Sequence, residues 1–168
     1  ALADGQSKFS RFLYSEDCLR TIEAFQAMGV KFEMGKVKRG SQVQSGDLMV
    51  EGVGLHGLSK PKSDLDLGNS GTSMRLLLGI LAGQPFEVRL TGDRSLCKRP
   101  MRRVTEPLKK MGAEIRGREE GNFAPLVIRG GPLSAISWRN DVPSAQVKSA
   151  ILLAGLYAEG ETIVGEII

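Results

Sequence analysis

Three short stretches carry residues able to hold an anion, and each is placed to open a helix. In Gly68-Asn69-Ser70-Gly71-Thr72, glycines let backbone N–H groups approach a negative charge, where the helix dipole already favours one. Taken alone it is neither a Walker loop nor a GxGxxG motif, and an ordinary capped helix has the same composition. The second stretch, Gly92-Asp93-Arg94-Ser95-Leu96-Cys97-Lys98-Arg99-Pro100, sets a guanidinium at a helix start. Its planar fork suits carboxylate or phosphate, although a surface arginine has the same sequence context. In the third, Pro143-Ser144-Ala145-Gln146, Ser144 is a candidate N-cap and Gln146 points a donor and an acceptor past the same end. A repeated unit would put its helix starts at similar ends, so the three stretches can share one cleft.

Net charge points the same way. The chain carries +4, and residues 94–118 hold nine Lys and Arg against Glu106 and Glu114. No aromatic residue lies between Phe86 and Phe123. Single-stranded RNA surfaces interleave bases with aromatic side chains, so a small anionic ligand is favoured over nucleic acid. Arg102 and Arg103 are expected to face solvent. His56, the only histidine, sits in a Gly-Leu-His-Gly loop with no partner nearby in sequence. Cys97 lies beside Lys98 and Arg99, which could lower its pKa, but no general base is near in sequence. Trp138 is expected to fill the core. No residue is read as catalytic, and none as a metal ligand.

The elements that position these residues repeat. Ala-Met-Gly-Val-Lys-Phe-Glu at 27–33 returns as Lys-Met-Gly-Ala-Glu-Ile-Arg at 110–116. Related Leu-Ala and Gly patterns recur around Gly5, Gly83 and Gly160. The middle copy is the most complete. Residues 70–82 are apolar nearly all round and predict a buried helix. Residues 86–90 alternate as a strand does. Pro100 predicts the first position of a second helix, whose stripe is Met101, Val104, Leu108 and Met111, and Gly112 closes it. Pro107 removes one backbone donor within it. Strands near 113–118 and 124–129 follow, joined by a turn at 120–122.

The unit is therefore helix, strand, helix, strand, strand. The first copy starts at its opening helix's tail. It runs through a strand over 7–12, a helix capped by Ser15 with Cys18, Ile22, Phe25 and Met28 inward, and strands near 31–36 and 48–52. A mobile connector is expected over 37–47. The third copy has a helix over 144–158 and a strand near 162–167. The expected units are 1–68, 69–137 and 138–168, the first and third incomplete. Together they make a single α/β (α+β) domain over 1–168, a segment of a longer protein.

Composition bounds the class. A chain of 168 residues with 41% hydrophobic and 25% charged residues can bury a core. No apolar run reaches membrane-spanning length, and no segment has a signal-peptide pattern. Two cysteines, Cys18 and Cys97, are too far apart for a metal motif and too few for a disulfide scaffold. The expectation is a glycine-rich cytoplasmic α/β domain with free thiols.

The three helix starts, in this order and spacing, resemble 5-enolpyruvylshikimate-3-phosphate (EPSP) synthase. The matching segments run from Leu67 to Arg75, from Thr91 to Met101, and from Pro143 to Ala150, with Ser15-Glu16-Asp17 and Lys110-Met111-Gly112-Ala113 alongside. The resemblance implies an enolpyruvyl transferase-like inverse α/β barrel domain, incomplete at both ends, from a two-domain enzyme of the shikimate pathway to aromatic amino acids. That enzyme moves an enolpyruvyl group from phosphoenolpyruvate to shikimate 3-phosphate and is the target of glyphosate. The resemblance further implies that Asn69, Gly71, Thr72, Arg99 and Gln146 hold phosphoenolpyruvate, while Ser144, Ala145 and Gln146 hold shikimate 3-phosphate. It implies no cofactor, a missing C-terminal domain as partner, a monomer, and neither nucleic acid nor membrane. The family's Lys-Ser-x-x-x-Arg motif would precede Ala1, so this segment alone is expected to be inactive. UDP-N-acetylglucosamine enolpyruvyl transferase is the alternative, with Cys97 as the residue to compare. A non-enzymatic nucleic-acid-binding module built on residues 94–118 is the other.

Overall fold

A computed structural model describes residues 1–35 and 45–166. The chain packs as two compact units, Ala1–Lys62 and Ser63–Ile168. The first ends shortly before the repeat boundary read at residue 68.

In the first unit, β1 (Asp4–Leu13), α1 (Glu16–Ala27), β2 (Lys31–Met34) and β3 (Ser45–Val53) follow one another. The sheet order is β1-β3-β2, with both pairings antiparallel. Ser15 caps α1 by accepting the Cys18 N–H at 3.4 Å, and Glu16 and Asp17 occupy the first turn, where the dipole favours them. Ile22, Phe25 and Met28 are buried as the stripe requires, but Cys18 is only half-buried. Most of the expected 37–47 connector lies outside the described residues, and Ser45, Gly46 and Asp47 belong to β3.

The second unit opens with β4 (Leu65–Asp66), α2 (Gly71–Ala82) and β5 (Glu87–Thr91). A 3-10 turn, Leu96–Lys98, leads to α3 (Arg102–Met111), β6 (Glu114–Gly117), the single turn α4 (Arg118–Gly121) and β7 (Phe123–Arg129). Then come β8 (Leu133–Ser134), β9 (Ser137–Asn140), α5 (Ala145–Gly155), β10 (Ala158–Glu159) and β11 (Ile163–Glu166). The main sheet has the order β4-β5-β7-β6. Its antiparallel β5-β7-β6 portion reproduces the β1-β3-β2 arrangement strand for strand. The parallel pair β4 and β5 across α2 is likewise matched by β9 and β11 across α5. The duplication legible in sequence is thus also one of strand pairing.

The core of this unit is two parallel helices. Met74, Leu77, Leu78 and Leu81 of α2 are essentially inaccessible, as are Ala150, Ile151 and Ala154 of α5. Burying a leucine-sized side chain is worth about 1.5–3 kcal/mol. Gly79 permits the close approach: a Cβ there would lie 2.2 Å from the Ala150 carbonyl oxygen. At one end Gln146 bonds to Thr72, and at the other a Cβ on Gly83 would meet the Tyr157 ring at 2.1 Å. The helices therefore run in the same direction, with their N-termini together.

Two local expectations are corrected. Pro100 does not start α3, which begins at Arg102. The start is set from outside the helix, because the Asn122 backbone carbonyl accepts the Met101 N–H at 2.7 Å and Asn122 Oδ1 accepts the Arg102 N–H at 3.2 Å. The stripe of Met101, Val104, Leu108 and Met111 is fully buried, and Gly112 closes the helix at φ 116°. Trp138 is half-buried, not a core residue. β9 leaves one ring face under the Lys110 ammonium, 4.8 Å from the ring centroid.

Candidate functional site

The first and third of the three expected helix starts are each capped by their own serine. Ser70 Oγ accepts the Ser73 N–H at 3.2 Å, and Ser144 Oγ accepts the Val147 N–H at 3.4 Å. Capping uses one donor per helix, so other first-turn N–H groups stay available to an outside acceptor. Ala145 is the exposed first residue of α5 and presents only its backbone there. Since α2 and α5 are parallel neighbours, two helix N-termini share one end of the unit.

Side chains tie those ends into a network. Gln146 Nε2 donates to Thr72 Oγ1 at 2.8 Å. Gln146 Oε1 accepts from Arg75 Nη1 at 2.8 Å. The same guanidinium reaches the Gly71 carbonyl at 3.3 Å and the Pro100 carbonyl at 3.2 Å. Arg99 donates to Asn69 Oδ1, while Asn69 Nδ2 donates to Asp93 Oδ2 at 2.7 Å. Asp93 in turn orders the loop before Arg99, its Oδ1 accepting the Leu96 N–H at 2.7 Å.

Gly71 is where the two guanidiniums converge. A Cβ on it would lie 2.9 Å from Arg75 Nη1 and 3.0 Å from Arg99 Nη1. Burial, and then the nearby charges of Arg99 and Arg103, lower the Arg75 pKa below its ordinary value. The Asp93 pKa is held down by the Asn69 hydrogen bond and then by the Leu96 N–H. Two guanidiniums are thus gathered at two helix N-termini, and an anion bound between them would offset the repulsion that Arg75 feels from Arg99 and Arg103.

Ser144 and Gln146 line an open cavity of about 750 Å³ together with Arg75, Arg102, Arg103 and Glu106. Arg102 and Arg103 are exposed as expected, but they face this cavity and are not remote from it. Asn69, Gly71, Thr72, Arg99 and Gln146 are thus linked directly or through Arg75, while Ser144 and Ala145 adjoin them at the start of α5. Sequence reasoning missed Arg75. Its trace was there: one charge, flanked by Met74, Leu76, Leu77 and Leu78, in a helix otherwise apolar all round.

The other expected candidates lie elsewhere. The Cys97 thiol donates to the Gly92 carbonyl at 3.4 Å, and the Cys97 carbonyl accepts from Arg118. His56 is exposed in the first unit. Much of the 94–118 basic run is engaged separately: Arg116 with Glu87 at 2.5 Å, Lys109 with the Glu120 carbonyl at 2.6 Å, and Lys110 over Trp138. Such dispersed contacts do not form a continuous stripe for a nucleic-acid backbone. Among the described residues, no group of three or more His, Cys, Asp and Glu could hold a metal ion, and no helix is long and apolar enough to cross a membrane.

The model of the family described as EPSP synthase (3-phosphoshikimate 1-carboxyvinyltransferase) matches residues 1–168. A 3-phosphoshikimate 1-carboxyvinyltransferase of Alkaliphilus metalliredigens is 54% identical over 166 residues, covering 99% of this chain and 37% of the relative. One of Methylococcus capsulatus is 58% identical over 167 residues, covering 99% of this chain and 36% of the relative. A solved EPSP synthase of Acinetobacter baumannii superposes with a TM-score of 0.90 at 48% identity, over 100% of this chain and 36% of that one. The chain thus spans a little over a third of the length of these relatives.

Proposed function

The chain belongs to the EPSP synthase family, and from that premise we propose that it supplies one side of a substrate site for enolpyruvyl transfer from phosphoenolpyruvate to shikimate 3-phosphate. In this reading an ether bond forms between a shikimate hydroxyl oxygen and C2 of phosphoenolpyruvate, and inorganic phosphate leaves. Asn69, Gly71, Thr72, Arg99 and Gln146 hold phosphoenolpyruvate, with Arg99 neutralising its charge and Gly71 leaving room at the backbone. Ser144, Ala145 and Gln146 hold shikimate 3-phosphate, and Gln146 adjoins both ligands. Arg75 is a positioning residue that fixes the Gln146 amide. The partner is the remainder of the enzyme, which carries the acid and base, so this chain alone turns nothing over.

The observation that carries the reading is the convergence of Arg75 and Arg99 on Gly71, at the end where Gln146 joins α5 to α2. The test is an amide NMR titration of the 168-residue chain with shikimate 3-phosphate and then phosphoenolpyruvate. The first ligand is expected to shift resonances at 144–146, and the second those at Gly71 and Arg99. Without the rest of the enzyme, affinity is expected to be about millimolar, near 4 kcal/mol. Shifts confined to Lys109, Lys110 and Arg118 would replace this reading with unspecific charge binding.

A further inference from the structure

Asn69 stands between two groups that leave its amide one orientation. Arg99 can only donate, so Asn69 turns Oδ1 towards it. On the other side the Asp93 carboxylate can only accept, and Asn69 Nδ2 donates to its Oδ2 at 2.7 Å. Asp93 is itself held from two directions. Its backbone N–H donates to the Gly68 carbonyl at 2.8 Å, and its Oδ1 accepts the Leu96 N–H at 2.7 Å. Gly92 lets the two loops meet, since a Cβ on it would lie 2.5 Å from the Gly68 carbonyl oxygen. The backbone of both loops therefore fixes the carboxylate before it touches Asn69.

Asn69 and Asp93 are exposed, where water replaces a lost hydrogen bond and little stability is at stake. What the chain from Asp93 through Asn69 to Arg99 sets is polarity. With Nδ2 drawn to Asp93, the amide oxygen steadies the Arg99 guanidinium beside Gly71. With the amide reversed, Nδ2 would face a cation and push it away. We propose that Asp93 is a positioning residue for phosphoenolpyruvate: it orients the Asn69 amide, and the amide oxygen holds Arg99 in place. The proposal rests on the reading that phosphoenolpyruvate binds at Gly71 and Arg99. Asp93 touches no ligand in it, and Asn69 keeps a second Nδ2 hydrogen for a ligand oxygen.

Two substitutions remove the same charge and separate this role from the alternatives. Asp93→Asn is nearly isosteric. Its Oδ1 keeps the Leu96 N–H, so its Nδ2 replaces Oδ2 and turns the Asn69 amide over, presenting donors to Arg99. Asp93→Ser keeps an acceptor for the Leu96 N–H, as a serine does at a helix start, but lacks the atom that reaches Asn69. Arg99 alone then decides the amide and retains its oxygen. In NMR of the ligand-free 168-residue chain, the Arg99 Nε–H resonance should move in Asp93→Asn and stay near wild type in Asp93→Ser, with the Leu96 amide little changed in both. In titration with phosphoenolpyruvate, Asp93→Asn should lose about fivefold in affinity, the value of one exposed charge-assisted contact. Asp93→Ser should bind at least as well as wild type, because removing a carboxylate beside an anion site favours the anion. A merely structural Asp93 would make serine the more damaging change, and a purely electrostatic one would make both variants bind more tightly. Either ordering would overturn the proposal, as would loss of the Leu96 amide shift in Asp93→Asn, which would mean that the loop had given way and not the amide. A wild-type chain without shifts at Gly71 and Arg99 would instead refute the phosphoenolpyruvate reading. The ligand-free spectra then decide the role of Asp93, and an unmoved Arg99 resonance in Asp93→Asn would sink it.

Discussion

Arg75→Met separates the role of one guanidinium from the stability of the fold. The wild-type side chain makes one good hydrogen bond, to Gln146 Oε1 at 2.8 Å, and two long ones, to the carbonyls of Pro100 and Gly71 at 3.2 and 3.3 Å. Only the first has near-ideal length, so it carries most of the value, about 1.5–3 kcal/mol for a charged donor, discounted toward the lower end because the group is half-exposed. Against it stand burial and the neighbouring Arg99 and Arg103, which disfavour the Arg75 charge in the folded protein. Those opposing effects leave overall stability within about 1 kcal/mol of wild type, read as a small change in melting temperature. Ligand binding does not share the compensation, because a bound anion would reverse the penalty. Loss of about 1.5–3 kcal/mol there is roughly ten- to hundredfold in affinity. The assay is NMR titration with phosphoenolpyruvate, following the Gln146 side-chain amide as well as the backbone. Arg75→Lys should fall between the two, since an ammonium keeps the charge but cannot span Gln146 and the Pro100 carbonyl as a fork does. Unchanged affinity in Arg75→Met, with the Gln146 amide resonances unmoved, would refute the assignment.

Gly79→Ala should cost about 3 kcal/mol in thermal or denaturant unfolding, because the new Cβ would meet the Ala150 carbonyl at 2.2 Å and backbone cannot step aside. Gly71→Ala should keep nearly wild-type stability, since its Cβ meets only the movable tips of Arg75 and Arg99, yet weaken phosphoenolpyruvate binding severalfold by displacing them; a melt and a titration of the same sample check both halves. Asp93 has a folded pKa below its ordinary 3.8, so its contribution is complete above that value and disappears as pH falls through the folded pKa. Acid titration by NMR should show the Leu96 amide losing its shift only below pH 3.8, and titration above that value would contradict the Asn69–Asp93 contact.

What could be read from the sequence was local. Ser15 and Ser144 each cap the helix expected of them, since an N-cap needs only its own first turn, and Ser70, read as the first residue of its helix, is the cap one position before it. Gly112 and the Met101–Met111 stripe are local in the same sense. The start of α3 was not, because Asn122, some twenty residues on, supplies the acceptors that move it past Pro100. Trp138 was misplaced because a lone large aromatic suggests a core, whereas an edge position and a lysine partner decide its burial. Arg75 could be suspected as a charge in an apolar helix, but Gln146, its partner, lies 71 residues away. That pairing exists only through the α2–α5 packing.

The packing and the charge at this site are therefore one problem. The Gly71 carbonyl and the Asn69 side chain each accept from one of the two guanidiniums, while their mutual repulsion works against the arrangement. The approach is also enforced from elsewhere. Gly79 against Ala150 and Gly83 against Tyr157 fix the two helices in register, which delivers Gln146 to Thr72 and Arg75. The Asn69–Asp93–Leu96 bonds independently fix the loop that ends in Arg99. Apolar burial along α2 and α5 offsets the electrostatic cost at their N-termini, so the charge stands ready before any ligand arrives. A site preorganised in this way gives up little ordering entropy on binding. The glycine contacts along and at the far end of the helices, remote from Gly71, therefore belong to this arrangement as much as the arginines do.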